Sequence, residues 1–85
     1  MTTLERTLTK ALTEIVIGLD HADDDAVTPE AAMALLNPVI VLLDGLCDED
    51  RRALVQLIIE CADEETDSDR QLTAWEMPET LGLTA

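Results

Sequence analysis

His21, Cys47, Cys61 and a long series of carboxylates are the groups of this 85-residue sequence whose chemistry has to be tested first. A helix–loop–helix calcium site needs carboxylates at alternate positions, Gly at the sixth and Glu at the twelfth. Counted from Asp23, the sixth position is Thr28 and the twelfth is Ala34, so the pattern fails. His21, Cys47 and Cys61 fall at no zinc-ligand spacing. As the lone histidine, His21 has no companion nucleophile or orienting group in the pattern and reads as a solvated helix-end residue. Cys61 falls on an apolar stripe and reads as a small core residue. Gly18, Gly45 and Gly82 are scattered and form no phosphate-binding loop. The expectation is no catalytic residue, no metal and no cofactor.

The carboxylates carry more information. Five Lys and Arg stand against nineteen Asp and Glu, a formal net charge of −14. So few cations cannot release counterions from DNA or RNA, and an anionic membrane surface would repel the chain. Asp20, Asp23, Asp24, Asp25 and Glu30 form one group, and Glu60, Asp63, Glu64, Glu65, Asp67 and Asp69 a second. Three readings compete for them. Acidic loops solubilise small proteins and cap helices. A concentrated negative field steers a basic partner. Loose divalent-cation binding is the third.

Four helical segments must position these acids. The first spans Leu4 to His21, opened by a Thr2/Glu5 capping box, with Leu4, Leu8, Leu12, Ile15, Val16 and Leu19 at intervals that form one face. The second has Thr28 as cap, Pro29 at the first helical position and Glu30 in the first turn, and stops near Asp44-Gly45. Pro38 inside it predicts a kink or break near 35–37. Val39 to Leu43 alone has strand character, but no second run exists for it to pair with. Asp48 caps a third helix, where Leu54, Leu57, Ile58 and Cys61 form one stripe and Val55, Ile59 and Ala62 another. Ser68 and Gln71 make a capping box for a short fourth helix that ends at Pro78, with Leu72 and Trp75 as its apolar face. Trp75 is expected to be a buried anchor, and Leu81 and Leu83 to fold back as a lid.

The expected architecture is a single all-α domain over residues 1–85, a small up-and-down bundle of three long helices plus a short fourth. Short loops make consecutive helices antiparallel neighbours, so the two acidic groups share one pole, opposed there by Arg70 alone. On this view Asp20, Asp23, Asp24, Asp25, Glu30, Asp63, Glu64, Glu65, Asp67 and Asp69 form a partner-binding surface. The wide apolar arc of the third helix and the apolar second helix point either to core or to a homodimer face. No basic-then-apolar leader opens the chain, and the longest apolar stretch, 33–43, is shorter than the roughly 20 residues of a membrane span. With two cysteines too far apart on a helix to pair, the chain reads as cytoplasmic.

Small acidic helical carrier proteins have an Asp-Ser-Leu motif at the start of their second helix. Here that place reads Asp25-Ala26-Val27-Thr28, without the serine, which disfavours a carrier. The segments Leu4-Glu5-Arg6-Thr7-Leu8-Thr9-Lys10-Ala11-Leu12 through Asp23-Asp24-Asp25, and Pro78-Glu79-Thr80-Leu81-Gly82-Leu83, resemble small acidic all-helical actinobacterial proteins of the toxin-immunity type. That resemblance implies an inhibitor whose acidic pole covers the basic cleft of a toxin domain. The alternative is a structural or regulatory homodimer.

Overall fold

The computed structural model describes residues 2–23 and 25–84, so Asp24 lies outside the described residues. It is all-helical: α1 spans Thr3–His21, α2 Pro29–Asp44, α3 Asp48–Glu64 and α4 Ser68–Thr80. Among the described residues there is no strand, and Val39–Leu43 belongs to α2.

The helix starts follow local chemistry, with shifts of one residue. The Thr2 hydroxyl accepts the Glu5 N–H at 3.1 Å and itself donates to the Glu5 carboxylate, so only the hydroxyl half of the capping box reaches an amide. Thr28 caps α2 by accepting from the Ala31 N–H, with Pro29 behind it as expected. On α3 the cap position falls to Cys47, which makes no side-chain cap bond, and Asp48 is the first helical residue. The α4 cap is Asp67 rather than Ser68: its carboxylate accepts the Arg70 N–H at 3.0 Å. Gln71, freed from a capping box, donates to the Ala62 carbonyl and ties α4 to the end of α3.

Neither internal proline stops its helix. Pro38 leaves only the Ala34 carbonyl without a helical donor, and both residues are exposed, where water supplies the bond. Pro78 lies inside α4, which continues to Thr80 and ends in a Schellman turn: Leu83 N–H bonds Pro78 O, Gly82 N–H bonds Glu79 O, and Gly82 takes φ +70°. That reversal drives Leu81 and Leu83 into the core, the lid expected from the sequence.

The backbones of α1, α3 and α4 approach one another closely in every pairing. α2 stands farther out and reaches the core through side chains: Leu36 is buried with Val16, Ile58, Met77, Leu81 and Leu83, while Val39, Ile40 and Leu43 pack on that cluster. A second cluster joins Ile17, Ala62 and Ala74.

α1 buries a face rotated from the one its apolar spacing indicates: Val16 is common to both, and Leu12 and Leu19 still pack on the core. Thr9, Thr13, Val16 and Ile17 point inward, whereas Leu4, Leu8 and Ile15 are exposed. Thr9 and Thr13 donate their hydroxyls to the Glu5 and Thr9 carbonyls, both at 2.8 Å, so each is satisfied within the helix and presents its methyl to the core. Trp75 is half exposed rather than a buried anchor, and Leu72 beside it is also exposed; Met77 and Ala74 fill the α4 core positions instead.

Candidate interaction surface

The first acidic group gathers where α1 ends. Asp23 O accepts the N–H groups of Ala26 and Val27, both at 2.9 Å, folding the chain into the turn that leads to Thr28. Asp23, Asp25 and Glu30 are exposed and make no ion pair among the described residues. Asp20, exposed like them, is bonded to α4. The Thr73 hydroxyl lies 3.0 Å from Asp20 Oδ2 and 2.8 Å from His21 Nε2.

A hydroxyl has one proton, so the arrangement that satisfies all three has His21 Nε2–H donating to Thr73 and Thr73 donating to Asp20. His21 is therefore a bonded residue rather than a freely solvated one. A nucleophilic relay places the histidine between carboxylate and hydroxyl; here the hydroxyl is in the middle, already committed, on a buried residue. The chemistry this arrangement does is to fasten the end of α1 to α4.

The second acidic group divides. Arg70 donates to Glu14 at 2.6 Å and to Glu65 at 3.0 Å, joining α1, the α3–α4 loop and α4. This guanidinium holds the Glu65 carboxyl below the usual carboxylate range, and the two carboxylates raise Arg70 in turn. Asp67 caps α4, the Asp69 carbonyl lies 3.2 Å from the Thr73 hydroxyl whose one proton goes to the nearer Asp20, and Asp63 is exposed without an ion pair among the described residues. Glu64 lies 4.0 Å from Lys10, and Glu60 3.1 Å from Arg6 in an ion pair whose alignment is too poor for a hydrogen bond. These two therefore run beside the first half of α1, about 15 to 21 Å along that helix from Asp20. The structure brings Asp20 to Thr73, midway along α4, but it sets Glu60 and Glu64 apart, and Arg70 is joined by Arg6 and Lys10 as a counter-charge.

Between α1, α2 and α4 opens a cleft of about 290 Å³. Val16, Leu19, Met33 and Leu36 make its apolar wall, and Asp20 and Glu76 its carboxylates. Sequence reasoning missed Glu76 and Glu14 because their neighbours come from distant parts of the chain; Arg70 and Glu14 are 56 positions apart.

Both cysteines are free: Cys47 exposed, Cys61 buried. Burial, and then the charge of Glu64, push the Cys61 thiol up. Among the described residues no three His, Cys, Asp or Glu groups are placed to hold a metal ion, and no helix is long and apolar enough to cross a membrane. No family model matches the chain, and no curated protein and no solved structure matches it either.

Proposed function

We propose that the chain is a non-catalytic protein-binding module that takes a basic partner at the α1–α2–α4 end. The observation that carries this reading is the cleft, with apolar walls and two carboxylates at hand. A Lys or Arg side chain has the matching construction, an aliphatic stem that packs on apolar surface and a cation at its tip. Exposed Asp23, Asp25 and Glu30 surround the approach and add a field that accelerates docking. Helices that alternate in direction, the bundle reading, bring these acids to one end. The partner class is a basic protein domain, and an inhibitor that occupies a toxin's basic cleft is the case the sequence resemblance suggests.

A Lys/Arg-rich peptide, titrated with Trp75 fluorescence as reporter, tests this directly. Binding should weaken as salt rises from about 50 to 200 mM. The variant Asp20→Asn/Asp23→Asn/Asp25→Asn/Glu76→Gln should bind at least about tenfold less tightly, roughly 1.4 kcal/mol over four charges. Equal binding by that variant, or by a neutral peptide of the same length, refutes the reading.

A further inference from the structure

α1 and α2 each carry an outward row of apolar residues that the fold does not use. On α1, Leu4, Leu8, Ala11 and Ile15 follow at intervals of four, three and four; on α2, Ala31, Leu35, Pro38 and Leu42 repeat that spacing. All eight are exposed, and the four leucines and the isoleucine among them are between 60% and 76% exposed. Intervals of four and three are those of helices that interlock side chains with a partner helix at a shallow angle.

The two rows border one surface. On α1, Leu12 and Leu19 pack on the cluster that α2 joins, and at 100° per residue Leu8 and Ile15 lie next to them, away from inward-facing Thr13 and Ile17. On α2, Met33 shares the cleft with Glu76, and the Ile40 Cγ2 lies 3.7 Å from where a side chain on Gly82 would begin, so this edge faces α4 and the tail. Leu35 and Leu42 occupy the opposite edge, and Leu46 just past α2 lines a groove with Leu8 of α1, which sets the end of α2 beside the α1 row.

We infer that this α1–α2 face is the contact between two copies of the chain, whose paired α1–α2 hairpins form a four-helix layer about a two-fold axis. Three observations select a second copy as the occupant. The eight positions carry no charge on a chain of net charge −14, and the carboxylates nearest them, Glu5 and Asp50 beside Leu8 and Glu14 beside Ala11, lie at the flanks of the rows rather than in them. The same spacing on both helices makes the surface complementary to itself, as an isologous contact requires. The area is also sufficient. The accessible surface is 5653 Å², against about 5,000 Å² for a monomer of this mass. At roughly 100 Å² per large aliphatic side chain, the five large side chains of the rows supply about 500 Å² per copy, or about 1,000 Å² over the pair. That is the threshold of a specific interface, and the dimer is weak and reversible. It is independent of the basic-partner reading, because the cleft lies on the α4 side.

Sedimentation equilibrium of the full chain from about 5 to 500 µM tests the inference, the range being that of weak interfaces. The mass should climb from 9.3 kDa toward twice that value, more readily in salt, which screens the remaining repulsion. Leu35→Glu/Leu42→Glu should stay monomeric with an unchanged far-UV spectrum and intact binding of the basic peptide. Leu72→Glu, an exposed apolar site on α4, should dimerise like the wild type. A wild type that stays monomeric throughout overturns the inference. So does a folded Leu35→Glu/Leu42→Glu variant that still dimerises, or a dimer lost only in Leu72→Glu. Should the double Glu variant fail to fold, Leu35→Gln/Leu42→Gln decides on the same terms.

Discussion

Ile15 and Ile17, two positions apart on α1, should respond very differently to the same substitution. Ile17 is 1% exposed, clustered with Ala62 and Ala74, whereas Ile15 is 60% exposed. Ile→Ala removes three carbons. At about 0.8 kcal/mol per buried methylene, plus a term for the cavity left behind, Ile17→Ala should cost about 3–4 kcal/mol. For Ile15→Ala only about two-fifths of the transfer term applies and no closed cavity forms, giving about 1 kcal/mol. An 85-residue domain has about 4–13 kcal/mol in total, and each kcal/mol moves its melting temperature by about 4–8 °C. Ile17→Ala should therefore lower the melting temperature by about 12 °C or more, and Ile15→Ala by less than about 8 °C. Thermal and urea unfolding followed at 222 nm gives both values, measured where the wild type is monomeric so that self-association does not add to Ile15. Equal losses, or a larger loss at Ile15, would mean that α1 faces inward along its leucines, and the dimer surface would go with it.

Two further outcomes follow from single side chains. A thiol reagent should label Cys47 rapidly and Cys61 only on unfolding, because Cys61 is buried and its thiolate is disfavoured by burial and by Glu64; two equally fast thiols in the folded protein would contradict the α1–α3 packing. Glu65 is held below its ordinary value of 4.5 by the Arg70 hydrogen bond, so its contribution is present above about pH 4.5 and is lost as pH falls through the lower folded value. The stability gap between wild type and Glu65→Gln should stay constant above that pH and close below it, and a gap that widens in acid would exclude the pairing.

Helix number and position were legible because they depend on neighbours in sequence. Thr28-Pro29-Glu30 opens α2, and Asp44-Gly45 closes it, through local hydrogen bonds alone. Orientation was less legible. Thr9 and Thr13 count as polar in any periodicity, yet their hydroxyls are spent on the preceding turn, and the buried face of α1 moves accordingly. The Asp67-for-Ser68 cap shows that two adjacent capping residues leave the first helical residue undetermined. The acidic surface was legible only in composition. Which carboxylates remain without a cation depends on Arg6, Lys10 and Arg70 reaching across helices, over separations that no local pattern encodes.

The distribution of surplus residues is itself an argument about role. A surface selected for solubility alone mixes charges of both signs and breaks up apolar patches. Here the carboxylates without an ion pair include Asp23, Asp25 and Glu30 around the α1–α2 turn, while exposed leucines occupy the rows of α1 and α2. α2 makes the point most sharply. Between Glu30 and Asp44 it has Asn37 as its only polar side chain, as a core helix would, yet Leu36 is its only buried residue. A helix apolar on all sides is stable when covered, and the rest of this chain covers one side. Because the uncovered edge faces away from α4, a second copy can occupy it while the cleft beside Asp20 and Glu76 stays open. Self-association and capture of a basic partner are then compatible in one molecule, each losing its surface to different substitutions.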